Sequence, residues 1–236
     1  MARHVIGDVH GCGKALRSLI AALKVRPDDE LIFVGDYIDR GPNSRDVIDQ
    51  LIELQQQCRV IALRGNHEVM LQAVAMCGMD PATWMRSGGK ATVTSYGGSI
   101  HKIPSRHLDF FQGLQRFYET ETEIFVHAMY NPLQPVAEQD EELTYWQHLP
   151  NPLPMPHVSG KRVYVGHTPQ ANGEILRRDH LIGVDTYCFG GGFLTAVNLD
   201  TQEIVQTSRH GHVRRVPIEH LLDAAAGCWR WLFRSG

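Results

Sequence analysis

Short apolar runs alternate with amphipathic stretches through the first third of the chain. His4–Ile6, Leu31–Val34 and Val60–Leu63 have strand length and are built from Val, Ile, Leu and Phe, and Ile124–Val126 repeats the pattern further on. Between them, Lys14 to Lys24 puts Leu16, Leu19, Ile20 and Leu23 on one helical face. Ser44 to Gln57 does the same with Val47, Ile48, Leu51, Ile52 and Leu54, and Asn43 or Ser44 caps it after Pro42. A third helix starts near His67 and carries Val69 to Met76. Strands alternating with helices predict parallel pairing in this half.

The second half changes character. Arg162–Val165, Leu181–Val184, Phe193–Leu199 and Glu203–Thr207 read as short strands, the last two joined as a hairpin across Asp200-Thr201-Gln202. The expected architecture is therefore an α/β sandwich of two sheets flanked by helices, the second sheet mostly antiparallel, in one domain spanning residues 1–236. Residues 131–156 hold six of the twelve prolines and the acidic run Glu138 to Glu142, and read as a surface excursion rather than a domain boundary. At 217–234, Ile218, Leu221, Leu222, Ala225, Trp229 and Leu232 follow helical spacing. An amphipathic helix docked on its own core is the first reading. Peripheral membrane or partner contact, through Arg230 and Arg234 beside Trp229, Trp231 and Phe233, is the second.

Composition narrows the class without choosing a function. A chain of 236 residues with 43% hydrophobic and 21% charged residues suits a globular protein with a sizeable core. A net charge of −3 argues against a nucleic-acid-binding surface. Cys12, Cys58, Cys77, Cys188 and Cys228 form no CxxC pair, which predicts free thiols in a reducing compartment. Cys12 reads as a buried filler, with oxidation sensing as the alternative. No basic-then-apolar leader and no 18-residue apolar run is present, so the expectation is a cytoplasmic protein.

The chemistry concentrates in Gly7-Asp8-Val9-His10-Gly11, Gly35-Asp36-Tyr37-Ile38-Asp39-Arg40-Gly41 and Arg64-Gly65-Asn66-His67-Glu68. Asp8 and Asp36 are 28 residues apart and Asn66 lies 30 beyond Asp36, close to the length of a strand–helix–strand unit. Three strand ends would thus lie side by side. Asp8 and His10 can bend toward one ion, Asp36 has oxygens enough to bridge two, and Asn66 adds a neutral oxygen. His127 and His167 each follow an apolar strand. Six such donors divide between two sites, and mixed imidazole and carboxylate ligands suit Mn, Fe or Zn better than Ca or Mg.

The runs GDVHG, GDYIDRG and RGNHE resemble the three signature blocks of the PPP-type serine/threonine protein phosphatases, within the calcineurin-like metallophosphoesterases. His127-Ala128 and Gly166-His167-Thr168-Pro169 are similar to the family's later histidine blocks, and Gly88-Gly89-Lys90-Ala91-Thr92 to a segment of its bacterial members. The resemblance implies two divalent ions, with Mn²⁺ first, held by Asp8, His10, Asp36, Asn66, His127 and His167. It implies His67 as general acid oriented by Asp39, and Arg40 and Arg64 as grips on the phosphate. The expected reaction is direct hydrolysis of phosphate monoesters, with phosphoserine and phosphothreonine proteins or peptides as substrates. Symmetrical cleavage of dinucleoside tetraphosphates is one rival, and a catalytically weak scaffold that binds phosphoproteins is another. Where the family offers a further phosphate-binding Arg after a Trp, this chain has Tyr145-Trp146-Gln147-His148-Leu149. His148 and Arg162 are the substitutes to test.

Overall fold

The computed structural model describes residues 1–216. The helix expected at 217–234 lies outside the described residues, as does Cys228.

Eleven strands make two sheets among the described residues. In the first, β1 (Arg3–Ile6), β2 (Glu30–Phe33) and β3 (Arg59–Ala62) pair in parallel. Helices α1 (Gly13–Leu23) and α2 (Ser44–Leu54) form the crossovers, and α3 (Asn66–Cys77) follows β3. The expected strands and helices of this half all form, with α2 ending at Leu54 rather than Gln57. Further helices follow at α4 (Ala82–Trp84), α5 (Lys90–Ser95) and α6 (Ser105–Gln112), with a π turn over Met85–Gly89.

The second half departs from expectation. The hairpin forms, as β9 (Phe193–Asn198) and β10 (Ile204–Ser208), but it joins the first sheet. β9 runs antiparallel to β1, and β11 (Val213–Val216) closes that side, giving the order β11-β10-β9-β1-β2-β3. The second sheet has the order β4-β5-β6-β8-β7, and its centre is parallel, not antiparallel. β5 (Glu123–Val126), β6 (Arg162–Val165) and β8 (Leu181–Gly183) are covered on both faces, as parallel strands usually are. Only the edges β4 (Phe117–Glu119) and β7 (Leu176–Arg177) run antiparallel. Strand signals of this kind fix length and turns; they do not say which sheet a strand joins.

Alternation within each strand builds the layers. Val5, Ile32, Val34 and Ile61 meet Phe125, Tyr164, Ile182 and Val184 between the sheets, while Ile6, Leu31, Phe33 and Ala62 pack in the core on the helix side. Each such buried side chain contributes about 1.5–3 kcal/mol. The Pro-rich excursion is the outer cover of the second sheet. Tyr130, Val136, Leu149 and Leu153 lie on Ile124, Val126, Val163 and Val165, and the excursion contains the short helix α7 (Glu141–Trp146).

The parallel strands of the two sheets point the same way. Arg3 at the start of β1 pairs with Glu123 at the start of β5 at 2.9 Å, and at the far ends His127 Nδ1 donates to the Val34 carbonyl at 2.8 Å. Six C-terminal strand ends therefore open onto one edge. No helix among the described residues is long and apolar enough to cross a membrane.

Candidate metal centre

That edge collects the donors. The turn after β1 brings Asp8 and His10, the turn after β2 brings Asp36, Asp39 and Arg40, and β3 leads to Arg64, Asn66 and His67. His127 and His167 follow β5 and β6. His10 (φ 44°), Asp36 (52°), Asp39 (71°), Arg40 (66°) and His167 (59°) are left-handed, five of the eight non-glycine residues with positive φ among the described residues. Each such conformation costs on the order of 1 kcal/mol or more and persists only where the surroundings enforce it. Buried Glu68, in the first turn of α3, is one enforcer. Its carboxylate accepts the backbone N–H groups of Asp36, Tyr37, Ile38 and Gly65 at 2.8–3.3 Å, pinning the second turn against the third.

The imidazoles are oriented from behind. His10 Nδ1 lies 3.0 Å from the Ile38 carbonyl, His127 Nδ1 2.8 Å from that of Val34, and His167 Nε2 3.0 Å from that of Trp146. A carbonyl only accepts, so each of these nitrogens carries the proton and the opposite nitrogen presents a lone pair inward. Burial keeps all three rings neutral: it holds His10 well below, and His127 below, the usual imidazole value, and it lowers His167, helped by His127, to about 3. Asp36 responds in the opposite sense. Burial would raise its pKa, but His127, His67, His10 and His167 around it, when protonated, outweigh burial and lower it.

Acceptors converge here without a donor between them. The Asn66 amide oxygen sits 3.1 Å from His127 Nε2, 3.2 Å from His167 Nδ1, and 3.2 and 3.3 Å from the two Asp36 oxygens. Turning the amide over would supply two protons to four acceptors; a cation would serve all of them. Asp8 Oδ1 is buried with no hydrogen-bond partner, while its Oδ2 accepts the His167 backbone N–H at 3.0 Å. Burial, Asp185 and Asp36 all push the Asp8 carboxyl well above its ordinary value, a cost that a bound cation would remove. Two potential ligand groups share Asp36. His10, Asp36 and His67 have donor atoms within 4.8 Å of one another, and so do Asp36, His127 and His167. Asp36, with His127 and His167 on one side and His10 on the other, thus has the donors to hold divalent cations.

His67 belongs to a different arrangement. Its Nδ1 meets Asp39 Oδ2 at 2.6 Å, and its Nε2 faces Asp36 Oδ2 at 3.9 Å. Asp39 is fully buried and also accepts from Trp84 Nε1 at 2.8 Å and Thr92 Oγ1 at 2.6 Å. Burial alone would lower the His67 pKa, but Asp36 and Asp39 outweigh it and raise it, favouring a protonated ring. Arg40 is exposed, with Nη1 3.2 Å from His10 Nε2 and its guanidinium 4.6 Å above the Phe189 ring. Arg64 is half-buried. It donates from Nη2 to the Leu114 carbonyl at 3.2 Å and keeps a buried, unpartnered Nε.

All ten expected site residues therefore reach one edge. The two substitutes for the missing arginine do not fare alike. His148 is exposed and stacks on His167 at 4.4 Å, beside the centre. Arg162 opens β6 at the opposite edge and donates to the Asp179 carbonyl at 2.9 Å, so it is no substitute. Three contributors escaped the sequence reading: Asp185, Phe189, and the Trp84–Thr92 pair that holds Asp39. Asp185 had a signal, since it follows the apolar run of β8 just as Asp36 follows β2. Burial pushes its carboxyl up to about 6. Cys12 is free and buried in the helix-side core, as the filler reading expected, and Cys188 is free and buried there too.

Comparison with known proteins places the chain in a family. The chain is 39% identical over 80 residues to the symmetrical bis(5'-nucleosyl)-tetraphosphatase of Janthinobacterium sp. (strain Marseille), a match covering 34% of this chain and 28% of that protein. It is 42% identical over 72 residues to the enzyme of the same name from Ralstonia nicotianae, covering 30% and 25%. The matched stretches thus span about a quarter of those curated relatives. A crystal structure provisionally assigned as a diadenosine tetraphosphatase superposes with a TM-score of 0.67 at 22% identity, over 87% of this chain and 92% of that one. A serine/threonine phosphatase from Saccharomyces cerevisiae gives 0.60 at 16%, over 92% and 80%. At such identities the likeness carries the fold alone. The calcineurin-like phosphoesterase family profile matches residues 3–191, and by that match the chain belongs to the calcineurin-like metallophosphoesterases.

Proposed function

We propose that this chain is a metal-dependent phosphohydrolase whose substrates are dinucleoside tetraphosphates, cleaved symmetrically. The first part rests on the acceptors of Asp36, Asn66, His127 and His167 that converge on one point, and on the buried Asp8 Oδ1, which has no hydrogen-bond partner. The second rests on the curated relatives, which shift the weight from phosphoproteins to dinucleoside tetraphosphates.

Asp8 and His10 would hold one divalent ion, Asn66, His127 and His167 the other, and Asp36 both. The mixed donor set suits Mn²⁺, our first choice, and also Fe or Zn. When bound, the ions supply Lewis acidity, a water of near-neutral pKa and a clamp on the attacking and leaving oxygens. The protein does the rest. Asp39 accepts the Nδ1 proton of His67 and leaves Nε2–H free to protonate the departing oxygen. Arg40 and Arg64 would grip non-bridging phosphate oxygens through their planar forks.

The PPP-like blocks favour a second reading, hydrolysis of phosphoserine and phosphothreonine on proteins. One assay separates the two. Metal-stripped protein supplied with Mn²⁺ is given diadenosine tetraphosphate or a phosphoserine peptide. The proposal expects two molecules of ADP per tetraphosphate, at a higher kcat/KM than phosphate release from the peptide. The reverse order would install the protein phosphatase.

A further inference from the structure

The turn after β8 holds a residue that local chemistry disfavours. Tyr187 has φ 64°, a conformation natural for glycine and strained for a bulky side chain. The surroundings enforce it. Its N–H donates to Asp185 Oδ1 at 2.9 Å, and its carbonyl accepts from the N–H groups of Gly192 at 2.9 Å and Gly190 at 3.2 Å. The ring has a tailored seat: a Cβ on Gly190 would fall 2.0 Å from Tyr187 Cε1, so any larger residue there would displace it.

The seated ring continues toward the metal centre. Tyr187 meets the half-exposed Phe189 edge-on at 4.8 Å, and Phe189 meets His10 edge-on at 5.0 Å. The Arg40 guanidinium lies 4.6 Å over the same Phe189 ring. An exposed cation thus covers one face of Phe189, with the Tyr187 ring beside it and the ligand His10 at its edge. A nucleotide presents the same pair of chemistries, an anion joined to a flat π-face.

We propose that Tyr187 and Phe189 form the platform on which a nucleobase of the substrate stacks while Arg40 takes its phosphate. This inference rests on the tetraphosphate reading above, and the test keeps the two apart. Binding of AMP and of inorganic phosphate is measured on Mn²⁺-loaded wild type, Tyr187→Gly and Phe189→Leu, together with each Tm. Wild type should prefer AMP to phosphate by about tenfold or more, and each variant should lose about that factor for AMP while holding phosphate within about twofold. Tyr187→Gly should melt no lower than wild type, because glycine relieves the strain. Equal affinity for AMP and phosphate in wild type, or equal loss of both ligands in the variants, would overturn the platform. So would tighter binding of phenyl phosphate than of AMP, which would give the wall to a tyrosine-like ring. An AMP preference that Tyr187→Gly removes, without any cleavage of diadenosine tetraphosphate, would uphold the platform and defeat the substrate reading.

Discussion

The two ends of the parallel strands both carry ionisable residues and treat them in opposite ways. At the N-terminal ends Arg3 pairs with Glu123 at 2.9 Å, Arg59 with Glu30 at 3.0 Å and Lys161 with Glu119 at 2.8 Å. At the C-terminal ends Asp8, Asp36 and Asp185 are buried, and among the described residues none of them has a lysine or arginine partner. Buried charge without a counterion costs several kcal/mol per group. The first edge is settled within the fold, whereas the second, on our proposal, is completed by bound cations. A cleft of about 570 Å³, lined by Glu123, Arg162 and His180, sits at the settled edge.

The comparison breaks most severely at Asp36. Asp36→Asn should leave no measurable hydrolysis above that of metal-free protein, because both ions lose their shared ligand. His67→Asn should keep its metals and lose about 10²–10⁴-fold in kcat. That variant also tests the pH dependence. His67 has a pKa raised above the ordinary 6.5, so its acid form persists below the raised value and is lost as pH climbs through it. The rate of wild type should therefore fall on the alkaline side, and His67→Asn should flatten that limb. A limb unchanged in the variant would assign the acid elsewhere.

Thr92→Val strips one donor from the buried Asp39 carboxylate. It should cost about 1–3 kcal/mol of stability, read by denaturant unfolding, with a smaller fall in rate than His67→Asn. The mildest change is at the other end. Arg162→Ala should leave kcat/KM within about twofold and stability within about 1 kcal/mol, since this half-buried cation has a backbone carbonyl and no carboxylate as partner. A large loss of activity there would erase the contrast between the edges.

That the candidate ligands would share one edge was legible because their spacing is architectural. Asp8, Asp36 and Asn66 each end one strand–helix–strand repeat, and such repeats place successive strand ends side by side. His127 and His167 could be added because each follows an apolar run. What supports Asp39 was not legible. Trp84 and Thr92 lie 45 and 53 residues away, in a segment with no strand or long helix to fix their direction. Sheet membership escaped for a related reason: β9 and β10 have the same alternation in either sheet, and only the tertiary pairing of β9 with β1 decides. Arg162 could have been set aside on chain direction alone, since it opens the strand that His167 follows.

The central claim is that Asp36 serves two cations at once. The most direct measurement is the equilibrium Mn²⁺ content per chain of stripped and reconstituted wild type and Asp36→Asn. Two ions in the wild type, falling to one or none in the variant, is the predicted result. Equal content in the two proteins would contradict it.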